Sequence, residues 1–597
     1  MSRTRLGAIA CATALTSTIL VSPAHGAVVA KPIVDYAVDH TVEIKALGSY
    51  DSSVLNESAA EIVAYHEASK RVLTVNANAG AIDVLDVTNP AQPQHIGTVS
   101  GGEGTTINSV AVRPDGLAVA TVEPADKTDG GEVIFFDAGA EAIAAEPLGR
   151  VSVGALPDMV TMTPGGEYAL VANEGEPAED YSVDPEGSVS IIALRTGVEA
   201  SSQDDVRTAG FTAFNGNLPA GVHVYGKVGA SATDAQNLEP EYITVSGSKA
   251  YVSLQENNAI AVVDIASATV ERIFPLGYQD HTEVAIDAND KDGAYNPATL
   301  SVKGILQPDA VGSYTVGGQT YIVTANEGDS RDWDGYSEEA RIKDLAEDDP
   351  KPVCEELASA LDDAGRLKIT TAFGDNDERG CYEELYTFGG RSFSIFSADG
   401  ERVFDSGEDF EHITSRVIPE YFNSDHAEAA IDDRSDDKGP EPEGLAIGTI
   451  NGRTYAFIGF ERVGGIIVYD ITDPKNASYQ AYINNRDFAD NSGDLGPEGL
   501  TFVPSAASHT GENLLIVGNE VSGSTTLFEV DSLVDAPSTS SEGSSDSTDG
   551  SSKAGIAIGA IAALIGALAA VAAAANHFGI APATLSDLIN RLPRMPF

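Results

Sequence analysis

Between residues 42 and 530 the apolar positions fall in short runs, alternating or unbroken, rich in Val, Ile and Tyr and punctuated by Gly, Pro, Asn and Asp. That pattern predicts strands joined by tight turns rather than helices. The runs also repeat. The stretch from Pro157 to Glu176 reads PDMVTMTPGGEYALVANEGE and is followed by GSVSIIAL; PEYITVSGSKAYVSLQENN from Pro240 is followed by AIAVVDI. Further copies begin at Pro308, Pro442 and Pro497, and two looser ones at Ala60 and Asn108. With Gly389 to Asp405 as the outer half of the fifth unit, the count is seven. Hairpin units repeated in this way bury their edges by radial stacking, so the expected fold is all-β, a β-propeller of seven blades, with six or eight left open. The largest insertion, Asp332 to Glu384, is expected to carry a short helix at Glu338 to Ala346 and a disulfide between Cys354 and Cys381.

The repeat turns linear spacing into a ring. In a propeller the residue opening the innermost strand and the residue closing the second strand meet at one rim. Here these are Asp158 and Glu174, Glu241 and Glu256, Asp309 and Glu327, Glu443 and Glu461, and Glu498 and Glu520. Asn173, Asn326 and Asn519 precede three of the closing acids, so a rim of carboxylates and amides is expected. Carboxylates gathered so closely repel one another unless a cation or a base neutralises them. Hard oxygen donors suit calcium, or another divalent cation, as the cofactor. Arg331, Arg391, Arg434, Lys438 and Arg462 in the adjoining loops are the candidate neutralising or ligand-binding bases. The alternative is that each acid caps a turn and is solvated.

Both ends carry their own signals. Arg3 and Arg5, an apolar stretch from Leu6 to Val21, Pro23 and the small-residue exit at Ala24-His25-Gly26 read as a signal peptide over residues 1–26. The propeller is expected over 27–535, a Ser/Thr/Asp-rich stalk over 536–553, a transmembrane anchor over 554–576 and a short tail over 577–597. The chain would then be exported and held at the cell surface through a C-terminal transmembrane helix. Acidic residues number 91 against 35 Lys and Arg, a net charge of -56. Such a surface excludes nucleic acid as a partner and points to cations, an extracellular ligand or a cell-wall component. It also fits a structural protein adapted to high salt.

Hydrolase and nucleotide signatures are missing: there is no G-x-S-x-G, H-E-x-x-H, P-loop or C-x-x-C. Asp287 to Gly293 (DANDKDG) looks like a calcium loop, but its register puts Ala288 where the first ligand belongs. Three stretches carry a resemblance: ANEGDSRDWDGYSEEARIKDL from Ala325, LYTFGGRSFSIF from Leu385 and DDRSDDKGPEPEGL from Asp432. They resemble the choice-of-anchor I family, which includes mesenchyme-specific cell-surface glycoproteins. The resemblance implies an exported propeller-like domain. Some members carry an alkaline phosphatase label, which implies a calcium-dependent phosphoester hydrolase as the alternative function. Glu443, Glu498, Asp309 and Glu327 would then hold metal, and Arg331, Arg391 or Arg434 would bind phosphate. No nucleophile for that reaction is evident in the sequence.

Overall fold

A computed structural model describes residues 28–536, apart from 225, 227, 229–231, 346–350, 359–363 and 376–378. Seven antiparallel sheets account for the repeat. Their innermost strands are Val63–His66, Val110–Val112, Pro157–Met162, Pro240–Ser246, Val311–Val316, Pro442–Ile450 and Pro497–Val503. Each packs beside the next, and the last lies against the first, so the ring is closed. Six blades have four strands. The sixth gains a fifth, Ile33–Tyr36, along Ser478–Asn484. In the seventh, three strands come from the C-terminal side, and Val42–Asp51 completes the sheet along Ser524–Ser532. Both ends of the propeller sequence therefore meet in one blade, which closes the ring.

The core follows the ring. Apolar clusters sit between successive blades: Val75 and Ile134 between the first and second, Val171 and Phe135 between the second and third, Ile191 and Ile243 between the third and fourth. The pattern continues through Phe396 with Ile260, Phe393 with Tyr469, Phe457 with Phe502, and Ile516 with Val72. Second and third strands are buried on both faces, which explains their near-continuous apolar runs.

The insertion between the second and third strands of blade five has its own small core, including Ile342, Leu367, Ile369 and Leu385. Cys354 and Cys381 are joined by a disulfide within it. The helix expected at Glu338 to Ala346 does not form over residues 338–344, and Ala346 lies outside the described residues. Glu339–Arg341 is instead a strand paired with Lys368–Thr370, followed by one 3₁₀ turn at Ile342–Asp344. Pairing across the insertion, reinforced by the Arg341–Asp436 ion pair, outweighs local helical preference there. A helix that was not anticipated, Asp409–Val417, buries Phe410 and Ile413 on one face.

The fold expectation is corrected at the C-terminus. Among the described residues no helix is long and apolar enough to cross a membrane, so the transmembrane helix is not supported. The segments read as signal peptide (1–26), anchor (554–576) and tail (577–597) lie outside the described residues, as does the stalk from residue 537 onwards.

Candidate functional site: an acidic channel mouth

The opening acids stand where they do because of a repeated irregularity. Proline has no N–H to give to the ladder, so it suits the first position of a strand. Directly after it the register between first and second strands shifts: between Pro157 and Val160, Pro240 and Ile243, Pro442 and Leu445, and Pro497 and Leu500. Asp158, Glu241, Glu443 and Glu498 each sit in such a bulge. A bulge frees a residue from pairing and re-aims its side chain.

The closing acids are fixed from behind. Asn173 Nδ2 donates to Ser190 Oγ at 2.9 Å, Asn326 Nδ2 to Ser394 Oγ at 2.8 Å and Asn519 Nδ2 to Ser524 Oγ at 3.2 Å. These amides, expected at the rim, are spent inside the blades. They pin the strand end that carries Glu174, Glu327 and Glu520.

A cavity of 340 Å³ occupies the mouth. Asp158, Glu174, Glu241, Asp309, Glu327, Glu443 and Glu461 line it, with Asp329, Gln255, Lys438 and Arg462. Deeper, the channel continues as a 410 Å³ space lined by Val63, Met159, Tyr242, Leu445 and Leu500. Several trios of carboxylates have oxygens within 4.8 Å of one another: Glu174, Glu239 and Glu256; Asp309, Glu327 and Glu443; Glu327, Glu441 and Glu461; and Glu61, Glu498 and Glu520. Thus Glu256, Glu498 and Glu520 belong to the ring but lie outside the cavity lining. Glu241 is only 8% exposed, and its Oε2 is shielded with no hydrogen-bond partner among the described residues. Glu443 Oε2 and Glu498 Oε2 are in the same state.

The five candidate bases have separate fates. Arg331 is buried, its guanidinium 2.6 Å from Glu239 and 3.9 Å from Glu256. Arg391 donates to Glu411 at 2.6 Å and to the backbone carbonyls of Ser435 and Asp437 at 2.8 and 2.6 Å. It clamps a loop and is not part of the cavity wall. Arg434, Lys438 and Arg462 converge on the fully buried Glu441, at 2.5, 3.1 and 3.0 Å. Arg462 also pairs with Glu461 at 3.0 Å, beside His426.

The electrostatics divide accordingly. Burial, then repulsion from Glu256, Glu174 and Asp309, pushes Glu241 well above the usual carboxylate range. Burial followed by neighbouring carboxylates does the same to Asp309, Glu443 and Glu498. Asp329 is raised to about 8, again mainly by burial. Glu441 goes the other way: burial opposes its charge, but Lys438, Arg434 and Arg462 hold it well below the ordinary range. The mouth therefore carries paired charge around Glu327, Glu441 and Glu461, beside carboxylates such as Glu241, Asp309 and Glu443 that pair with no base among the described residues.

Four acids in this site escaped the repeat reading: Glu61, Glu239, Asp329 and Glu441. Glu61 occupies the opening position of blade one, where Ala60 replaces the proline that marks the other copies. Glu239-Pro240-Glu241 and Glu441-Pro442-Glu443 are matching triplets whose first members were readable as a pattern. In blade two the opening position is Asn108, whose Nδ2 donates to Glu123 at 3.1 Å. The loop from Asp287 to Gly293 gathers no ligand set; Asp287 accepts from the backbone N–H of Asn289 and Asn296, at 3.2 and 2.7 Å, and closes its own turn.

Residues 61–474 match the choice-of-anchor I domain. The chain belongs to the choice-of-anchor I family. Among similar proteins, this choice-of-anchor I chain is 31% identical to Gigasin-3a of Magallana gigas over 28% of its own length. It is 29% identical to the mesenchyme-specific cell surface glycoprotein of Strongylocentrotus purpuratus over 41% of its length. It spans 64% and 36% of those two proteins. Solved structures of similar outline include Kuenenia stuttgartiensis hydrazine synthase, at 12% identity and a TM-score of 0.41, covering 80% of this chain and 98% of that one. A streptogramin B lyase aligns at 9% identity and a TM-score of 0.39, covering 82% and 98%.

Proposed function

We propose that this is an exported surface protein whose propeller mouth binds a divalent cation and presents it to an extracellular ligand or cell-wall component. A surface location is supported by the family and by the relative named as a cell surface glycoprotein. The cation reading rests on one observation above all: Glu241, nine-tenths buried, keeps a carboxylate oxygen with no hydrogen-bond partner among the described residues, in a cavity where its nearest charged neighbours are other acids. A buried carboxylate without a partner is costly, and a cation removes that cost. The donors are all hard oxygens, which suits calcium over softer metals. Asp158, Glu174 and Glu241 are the residues that would hold it. The bound ion would supply a fixed positive centre able to take an oxygen ligand from a partner.

Calorimetric titration of calcium into the purified chain, beside a Glu174→Gln/Glu241→Gln variant, tests this. Saturable binding lost in the variant supports the reading. Equal binding in both, or none in either, leaves acidity that serves only to keep the surface soluble in salt.

A calcium-dependent phosphoester hydrolase on the same mouth is the second reading, favoured by the presence of Lys438 and Arg462 in the cavity wall. Against it, Arg331 and Arg391 are consumed in buried ion pairs rather than facing the cavity. Calcium-dependent turnover of p-nitrophenyl phosphate, abolished in the same variant, would favour hydrolysis over binding alone.

A further inference from the structure

We infer that the Lys438 ammonium is a resident cation of the mouth, seated among carboxylates and limiting how many divalent ions the mouth takes. This rests on the cation-binding reading above. The Nζ of Lys438 lies 2.8 Å from Glu327 Oε1, 2.6 Å from the Gly328 carbonyl and 3.1 Å from Glu441 Oε2. Two of these contacts are hydrogen bonds and the third is an ion pair, so oxygens hold the ammonium on three sides. Its surroundings have the composition of a hard-metal site: Glu327, Glu441 and Glu461 bring carboxylate oxygens within 4.8 Å of one another.

Glu327 is the pivot. It belongs to this trio and also to the trio with Asp309 and Glu443. Among the described residues Asp309 and Glu443 form no ion pair, and Lys438 is the base that pairs with Glu327. Glu441, by contrast, keeps Arg434 and Arg462 whether or not the lysine is present. Withdrawing the ammonium therefore frees Glu327 to complete a site with Asp309 and Glu443, without stripping Glu441. It also removes a positive charge that repels any divalent ion arriving there.

The lysine is delivered deliberately. Its loop is held by Arg391, which donates to the carbonyls of Ser435 and Asp437 on either side of Asp436 and is itself fixed by Glu411. Gly439, at φ +71°, lies against the Arg391 side chain, and a Cβ there would sit 3.0 Å from Arg391 Cδ. Arg391 is thus a positioning residue that acts on the mouth through the reach of Lys438.

The test is calcium titration of the full chain, wild type beside Lys438→Gln and Lys438→Arg, at one fixed ionic strength. Bound calcium per chain is counted after dialysis by elemental analysis. The expected result for Lys438→Gln is one additional calcium per chain, or at least tenfold tighter binding, with Lys438→Arg returning wild-type behaviour. A lysine that serves only to hold the loop predicts the opposite sign, weaker binding on its removal. Wild-type binding with an unchanged or weakened Lys438→Gln variant overturns this inference and leaves the cation reading standing. A silent wild type with a binding Lys438→Gln variant supports the inference while removing the native mouth as a cation site; silence in both overturns the two together. A Glu327→Gln/Lys438→Gln variant, which keeps the local charge balance, guards against misfolding as the explanation and is expected to lose the gain.

Discussion

Arg331→Met is the substitution whose consequence the structure sets most firmly. Arg331 is 2% exposed and Glu239 is 1% exposed, and they meet at 2.6 Å. The same guanidinium donates to the Asn237 carbonyl at 3.2 Å, so it ties the blade-five insertion to the loop entering blade four. Two charges in contact at an effective dielectric of about 20 attract by on the order of 4 kcal/mol. Removing one partner leaves Glu239 buried without its counter-charge, at a cost of about 3–5 kcal/mol. In a chain of this size that corresponds to a thermal midpoint lower by about 3–5 °C. Adding Glu239→Gln removes the stranded charge, so the double variant should be more stable than Arg331→Met alone. Calorimetry in EDTA near neutral pH reads both values. A shift below about 1 °C for the single variant would refute the reasoning. So would a double variant less stable than the single, because the ion pair would then not be what holds the two loops.

Three further outcomes follow from the same geometry. Burial raises Asp329 to about 8 and Glu338 to about 7, so the folded chain binds more protons than the unfolded one between about pH 4.5 and 8. Stability in EDTA should therefore fall as pH rises through that window, and a midpoint rising from pH 5 to 8 would contradict the assignment. Trp333, the one tryptophan of the sequence, has Lys127 Nζ 3.8 Å over its ring, and Lys127 pairs with Glu176 at 2.7 Å. Lys127→Gln should red-shift and broaden tryptophan emission as a contact worth about 0.5–1 kcal/mol is lost, while an unchanged spectrum would place the ring elsewhere. Replacing Cys354 and Cys381 by Ser opens a link spanning 27 positions and should cost about 3 kcal/mol within the insertion. Hydrogen exchange should then quicken at Leu367 and Ile369 and stay slow at Val72 and Leu85 in blade one.

How far the sequence carried this account depended on the kind of signal. Proline followed by an acid marked the innermost strands of blades three to seven, because proline can open a strand but not continue one. The seven-fold count survived because every second and third strand is buried on both faces and so reads as a distinct apolar run. Glu61 lacks the proline that marks the other opening acids, although Ile62 and Val63 behind it keep the register. The amides misled in a different way. Asn173 and Asn326 are one residue from the rim, and strand alternation turns each to the opposite side, toward serines of the third strand. Which base meets which acid was not legible at all. Arg331 with Glu239 joins loops of different blades, and Arg391 with Glu411 joins the start of blade five's third strand to the helix after its fourth; neither pairing is marked by any spacing along the chain. The helix expected from Glu338 failed for the same reason, since its partner strand is Lys368–Thr370.

The carboxylates at the channel mouth are proposed to hold a divalent cation. Crystals of the chain grown with terbium, a calcium mimic whose anomalous scattering locates it unambiguously, would test this most directly. An anomalous peak is expected inside the mouth, about 2.3–2.6 Å from oxygens of Glu241 and its neighbours Asp158 and Glu174. Peaks confined to acids on the outer surface, with the mouth empty at saturating terbium, would contradict it.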